Sequence, residues 1–348
     1  MDKKTRRMMT VALCSVVLII NFLQVNVASA PSITQTTNKP LDESYQTVYK
    51  ALETEAPFDY TFIWMSDTQY YSKRHPNIYK SMVEWIAKNK EELSIPYVIH
   101  TGDIVHNWDD ERQWQYADES TKVLENAEIP YGVLAGNHDI DLKNKDYTPF
   151  SKYYGHSKFK NQLYYGSSYK DNRGHYDLVS VNGNNFIMIY MSWGIGQEEI
   201  DWVNEVLENH PDHMAFINLH QYLLPTGKRS RLGEDLYEQV IEPNENVVAT
   251  LSGHYYGTAT KVDAIDDNGD GKPDRKVHQM FANYQGGPEG GQGYMRLLHV
   301  NQEENKIHVK TYSPYLNDYN YYDIEKYPGK DEFVIELPLK SKVKTNPT

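Results

Sequence analysis

Five apolar runs constrain this chain before anything else, because each ends in a side chain able to hold a metal ion. Phe62-Ile63-Trp64-Met65 leads into Ser66-Asp67, Tyr97-Val98-Ile99 into Gly102-Asp103, and Tyr131-Gly132-Val133-Leu134 into Gly136-Asn137-His138-Asp139. Further on, Ala215-Phe216-Ile217 leads into His220, and Val247-Val248-Ala249 into Gly253-His254. Short apolar runs bounded by glycine and polar residues read as buried strands. Between them apolar residues recur at helical spacing over Asn77–Leu93, Glu111–Ala127, Gln197–Glu208 and Glu234–Ile241. Strand and helix in alternation predict an α/β layer architecture. His175–Ser180 and Asn185–Tyr190, joined through Asn182-Gly183-Asn184, predict a hairpin. After His254 the helical spacing stops. Thr258–Ala264, Lys276–Phe281, Tyr294–Val300, Lys306–Thr311 and Phe333–Leu337 read as strands.

Sites in α/β sheets form where strands end. The five runs would therefore deliver Asp67, Asp103, Asn137, His220 and His254 to one crevice. A lone histidine after a strand is usually a satisfied polar residue, and a lone Gly-Asp is usually a turn. Five such endings in order carry the metal reading. Two carboxylates, an amide and two imidazoles suit zinc, manganese or iron. A set of this kind can build a dinuclear pair sharing one carboxylate, which clamps a phosphate and activates a water for in-line attack.

The first thirty residues form a separate unit. Lys3, Lys4, Arg6 and Arg7 precede the apolar stretch Val11–Phe22, and Val27-Ala28-Ser29-Ala30 offers small residues for cleavage. That order predicts a secretory signal peptide over 1–30, with a secreted or cell-surface destination and bacterial export. Asn21, Gln24 and Asn26 interrupt the stretch, so no stable membrane span is expected once it is removed. Residues 31–44, rich in Thr, Ser, Asn and Pro, predict a flexible lead-in, and 45–340 a single domain. Cys14 is the only cysteine, so the mature chain would have no disulfide. The whole chain carries 35 basic and 48 acidic residues; without residues 1–30 these become 31 and 47, a net −16. Such a surface repels nucleic-acid backbones, and no nucleic-acid-binding face is expected. A phosphorylated substrate would need local positive charge, which metal ions supply.

The motifs resemble those of the calcineurin-like metallophosphoesterases. That family shows Asp-x-His, Gly-Asp-x-x-Asp, Gly-Asn-His-Asp/Glu, a lone His and Gly-His-x-His. Here they stand as Asp67-Thr68-Gln69, Gly102-Asp103-Ile104-Val105-His106, Gly136-Asn137-His138-Asp139, His220 and Gly253-His254-Tyr255-Tyr256, over roughly residues 58–311. The Ser-Asp-Thr-Gln-Tyr-Tyr start is similar to that of exported bacterial members. The resemblance implies a two-sheet β-sandwich flanked by helices and a metal-dependent hydrolysis of phosphoric mono- or diesters by a metal-bound hydroxide. The substrate would be a phosphorylated small molecule or cell-envelope component. By position, Asp103 bridges both ions; Asn137, His220 and His254 complete one site; Asp67 belongs to the other; and His138 steadies the phosphate and protonates the leaving oxygen. Gln69 and Tyr256 stand where the family has histidines. An amide oxygen ligates weakly and prefers hard ions, while a tyrosine either binds as phenolate or packs. His106 stands where the family has an aspartate beside the catalytic histidine. These three departures imply a second ion held weakly. They also leave open a non-catalytic cell-surface binding protein that keeps the fold and one metal.

Other stretches carry further readings. Asp266, Asn268, Asp270 and Asp274 match the opening of a calcium loop, with Gly271 in place but Val277 where an EF-hand has Glu. A calcium-binding hairpin loop and a plain acidic turn both fit. The run Gly286–Gly293 lacks the strand-to-helix context of a nucleotide fingerprint and reads as a loop near the metals, with Asn283 and Gln285 before it as candidates to face the crevice. The tyrosine-rich tail (Tyr312, Tyr315, Tyr319, Tyr321, Tyr322) reads as edge packing, with a carbohydrate-facing role as the alternative.

Overall fold

The computed structural model describes residues 57–340. The proposed leader 1–30, the lead-in 31–44 and the start of the domain at 45 lie outside the described residues.

The chain enters the fold as β1 (Tyr60–Met65), followed by α1 (Gln69–Arg74), α2 (Pro76–Lys88), β2 (Val98–His100), α3 (Glu111–Asn126) and β3 (Tyr131–Val133). These three strands pair in parallel, as strands joined by crossover helices must. Helices α4 (Thr148–Tyr154) and α5 (His156–Phe159) lead to β4 (Tyr165–Tyr169), β5 (Gly174–Val181) and β6 (Asn184–Met191), the last two forming the predicted hairpin. Then come α6 (Gln197–Glu208), β7 (Met214–Leu219), α7 (Arg231–Leu236) and β8 (Val247–Ser252). After these come β9 (Gly257–Ile265), β10 (Arg275–Asn283), a 3-10 turn at Pro288–Gly290, β11 (Met295–Asn301), β12 (Lys306–Ser313), β13 (Asp318–Tyr319) and β14 (Phe333–Glu336).

The strands form two sheets of seven. One runs β13-β12-β11-β1-β2-β3, with β14 also on β12; the other runs β4-β5-β6-β7-β8-β10-β9. Their inner faces share a core in which Phe62, Trp64, Ile99 and Leu134 meet Phe186, Phe216, Leu251 and Met280. The alternate residues Ile63, Met65 and Val98 point outward to Met82, Val83, Ile86, Trp114 and Leu124 of α2 and α3. Ile187, Ile189 and Ile217 do the same toward Ile200, Val203 and Leu207 of α6. Burial on both faces explains why the parallel strands read as unbroken apolar runs. The result is a two-sheet sandwich flanked by helices. The helix expected over 234–241 begins earlier, with the Ser230 hydroxyl accepting from Gly233 N at 3.0 Å, and its last turn is a π-turn over Tyr237–Ile241.

Candidate metal centre

The sandwich brings the ends of parallel strands from both sheets to one place. Asp67, Asp103 and Asn137 follow β1, β2 and β3 of the first sheet, while His220 and His254 follow β7 and β8 of the second. The backbone joins the turns: Asp67 N donates to Gly102 O at 3.0 Å, and Gly253 N to His220 O at 3.0 Å. Asp67, Asp103 and His254 all hold positive φ, at 53°, 53° and 72°. Such conformations cost about 1–3 kcal/mol each in non-glycine residues and concentrate at functional sites. The motif glycines make the room. A Cβ on Gly136 would lie 2.1 Å from Asp103 Oδ1, and one on Gly253 would lie 2.2 Å from Asp67 Oδ2.

Asp67, Asp103 and His220 are buried, with ligand atoms all within 4.8 Å of one another; among the described residues this is the group of three acidic, histidine or cysteine side chains placed to hold an ion. Thr101 O accepts from His220 Nδ1 at 2.8 Å. In the neutral ring Nε2 then carries the lone pair, yet it faces Asp103 Oδ1 at 3.3 Å and Asn137 Oδ1 at 3.2 Å. Lone pairs converging in this way call for a cation. Burial opposes a proton on His220, but the charge and hydrogen bond of Asp103, the Asp67 charge and the bond to Thr101 O together lift the pKa to about 9. Burial lifts Asp67 to about 8, with His220 opposing and Asp103 adding. Burial would raise Asp103 too, but His220 and the His138 N–H, which donates to Oδ1 at 2.9 Å, hold it below the usual carboxylate range. Gln69 is buried beside Asp67. Its amide nitrogen donates to Gln285 Oε1 at 2.5 Å, and its own Oε1 is buried without a partner. An orphaned buried oxygen in the turn that carries Asp67 fits a metal ligand. Together, Asp67, Gln69, Asp103, Asn137, His220 and His254 form a donor set that fits the implied ions.

His138 sits at the rim. Its Nδ1 is 2.8 Å from the carbonyl oxygen of His106, which can only accept, so Nδ1 carries hydrogen and Nε2 remains for proton transfer. The main chain of His106 thus orients the imidazole where the family pattern has a carboxylate. The two rings stack at 4.8 Å, and burial with the Lys73 charge lowers His106 to about 4, so it is neutral near pH 7 and does not repel His138.

Tyr256 stays outside the buried cluster, 58% exposed. The Asp266–Asp274 loop is the exposed tip of the β9–β10 hairpin, with its oxygens turned to its own amides. Asp266 accepts from Gly269, Asp270 and Gly271, and Asp274 from Asp267 and Asn268. Asn283 and Gln285 do face the crevice: Asn283 Nδ2 donates to His254 O at 3.3 Å, and Gln285 Nε2 to Asp67 Oδ1 at 3.3 Å.

Sequence reasoning missed three supports. Asp139 accepts from Ile104, Val105 and Gly136 N–H at 3.1, 2.9 and 2.8 Å and clamps the second and third turns together. Its adjacency to His138 in the motif was the available signal. His100 links the first two turns through Thr68 Oγ1 at 3.0 Å and Gly102 N at 3.2 Å. Trp193 lies 5.0 Å from the His254 ring and 5.8 Å from that of His220, beside a cavity of about 160 Å³ that Ser192, Gln221 and Leu232 also line. It follows β6 with no motif around it.

Comparison with known proteins bears on the family and the fold. The uncharacterized protein YvnB of Bacillus subtilis strain 168 is 56% identical over 285 residues, covering 82% of this chain and 22% of that protein. This chain therefore spans about a fifth of that relative's length. A Colwellia psychrerythraea protein named as a probable cyclic nucleotide phosphodiesterase is 22% identical over 215 residues, 59% of this chain and 74% of the relative. Purple acid phosphatase PPD1 from yellow lupin (Lupinus luteus) seeds shares the fold, with a TM-score of 0.52 at 12% identity over 81% of this chain and 54% of that one. A family model described as calcineurin-like phosphoesterase matches residues 60–256, more than half of the sequence. The chain belongs to the calcineurin-like phosphoesterase family.

Proposed function

We propose that the chain is an exported, metal-dependent hydrolase of phosphoric mono- or diesters. The observation that carries the reading is the buried convergence of Asp67, Asp103 and His220 from both sheets, within 4.8 Å, next to an oriented His138. Asp103 would be the carboxylate shared by two ions. Asn137, His220 and His254 would complete one site, and Asp67 with Gln69 a weaker second one. Ions held there supply positive charge for the phosphate and acidify water. The chain's own groups do the rest. Thr101 O fixes the His220 ring, and Gln285 with the His254 N–H holds the Asp67 carboxylate. His106 O holds His138 so that Nε2 can give its proton to the oxygen that leaves phosphorus. The basic, apolar and small-residue order of residues 1–30 supports export.

Hydrolysis of p-nitrophenyl phosphate, bis(p-nitrophenyl) phosphate and cyclic AMP, with manganese, zinc or iron added, tests the reading; the Colwellia relative's name puts a cyclic nucleotide in this panel. Turnover that disappears in Asp103→Ala and Asn137→Ala is the expected result. No turnover under any metal would instead favour a cell-surface binding protein that keeps the fold without catalysis.

A further inference from the structure

The cavity of about 160 Å³ beside the metal centre has no part in the chemistry above. Its walls come from the loop after β6, from His220 and Gln221 after β7, and from Leu232 on α7. The loop is fixed from several sides. Ala135 N donates to Ser192 Oγ at 2.9 Å, and Trp193 N to Ala135 O at 2.8 Å. Ala135 directly precedes Gly136-Asn137-His138-Asp139, so this loop is tied to the third ligand turn. Tyr147 Oη donates to Trp193 O, and Arg173 to Gly194 O at 3.1 Å. A cavity walled by residues held in this way is formed before a ligand arrives. Gly194 on its rim is exposed, which leaves an entrance. The Trp193 ring also reaches the metal centre, 5.0 Å from the ring of His254 and 5.8 Å from that of His220. A molecule in the cavity therefore neighbours whatever the ligand residues hold.

The walls narrow the occupant. His220 spends Nδ1 on Thr101 O and turns Nε2 to Asp103, so it offers the cavity only carbon. Ser192 Oγ accepts from Ala135 N, and Gln221 Nε2 donates to Tyr255 Oη at 2.6 Å. Trp193, Ile195 and Leu232 supply most of the remaining wall. Among the described residues no acidic or basic side chain other than His220 lines it. A charged group entering would lose its water and gain no counter-charge. A hydroxyl-rich group would strand most of its hydroxyls. An apolar group gains by burial against the indole and the two branched side chains. An apolar cavity of about 150 Å³ takes up benzene, so the space here suits one ring or a branched alkyl group of that size. We propose that the cavity seats the organic group of the ester split at the metal centre, and that Trp193 and Leu232 select an uncharged, apolar group of single-ring size. This rests on the hydrolase reading and names its substrate class.

Calorimetric titration of the full chain, with manganese present, against phenylphosphonate and methylphosphonate tests the cavity. The two share the phosphoryl group and differ only in the group it carries, and neither needs turnover to be read. Phenylphosphonate is expected to bind about tenfold or more tighter. Leu232→Trp fills the space, so the advantage should fall to about twofold or less while methylphosphonate affinity stays. Trp193→Ala should lose the advantage by removing the wall. Leu232 is half-buried on α7, so its variant tests the cavity even where Trp193→Ala fails to fold. Four results would overturn the proposal: no binding of either phosphonate; equal affinity for the two; an advantage unchanged in Leu232→Trp; or equal weakening of both ligands in Trp193→Ala, which would make the indole a prop for His254. Hydrolysis of p-nitrophenyl phosphate is measured separately. A protein inactive with every metal that still prefers the phenyl group sinks the hydrolase reading and keeps the cavity as a binding site. An active protein without the preference sinks the cavity alone.

Discussion

At the scale of single residues, the centre depends on groups that shape the ligands as much as on the ligands. Gly136 shows this, because any side chain there strikes Asp103 at both Oδ1 and N, at 2.1 and 2.5 Å. Gly136→Ala is expected to cost about 1–3 kcal/mol of stability by overpacking and to remove activity with every metal. A variant with wild-type melting and wild-type kcat would contradict the geometry. His138 makes a sharper prediction. If it protonates the leaving oxygen, His138→Ala should lower kcat by about 10²–10⁴ on alkyl esters, and by far less on nitrophenyl esters, whose leaving group needs no proton. Equal losses on both would assign it to phosphate binding instead. The convergence of Asp67, Asp103 and His220 was legible in the sequence because each pairs a strand ending with a residue type able to ligate a metal. Trp193 was not, since nothing in its neighbours distinguishes it from a core aromatic. The positive φ of Asp67, Asp103 and His254 was hidden for the same reason: only the turn around each residue imposes it.

At the scale of elements, periodicity located the strands and helices that are apolar on a face and missed those that are not. β4, with Gly166, Ser167 and Ser168, is a polar edge strand, and α1 is too short for its spacing to register. The division into two sheets was also hidden from periodicity, since an unbroken apolar run fits either sheet and only the family resemblance implied a sandwich. The pairing of β1 with β11 carries a pH prediction. Thr61 sits opposite His299, and its hydroxyl lies 2.8 Å from His299 Nδ1. Burial, with Lys310 and His308 nearby, lowers His299 to about 3. The unfolded chain therefore binds this proton first, and the stability contribution, complete above about pH 6.5, declines as pH falls toward 3. The loss at the acid end is on the order of 5 kcal/mol. Urea titrations between pH 7 and 4 should show a shallower decline for His299→Gln than for the wild type; parallel curves would discard the assignment. The β9–β10 tip makes a separate thermal prediction. If calcium occupies it, millimolar calcium raises the melting temperature of the wild type but not of Asp270→Ala, whereas identical curves leave a turn closed by its own amides.

For the whole molecule, the centre joins what the core leaves separate. Between the sheets, Phe62 and Trp64 meet Phe186 and Phe216 through apolar contact, which fixes distance but is tolerant of sliding. At the ligand end, carboxylates from one sheet face imidazoles from the other, and a bound ion would tie the two edges directly. Without it, Asp67 and Asp103 remain buried near each other, at 1% exposure each. Ion binding is thereby linked to folding. At a free ion concentration about 100 times Kd the linkage is about 2.7 kcal/mol, or roughly 5–10 °C in melting temperature for a domain of this size. Chelation should lower the Tm by that amount, and manganese or zinc should restore it. Metal analysis after dialysis should find one ion per chain, held by Asp103, Asn137, His220 and His254. A second should appear only when metal is supplied in excess, because Gln69 offers an amide oxygen where a stronger donor would retain it. In Asp103→Asn both steps should vanish together, since that carboxylate is the shared member. A melting temperature indifferent to chelation would separate the centre from the stability of the sandwich, and two ions surviving dialysis would show that Gln69 is no handicap.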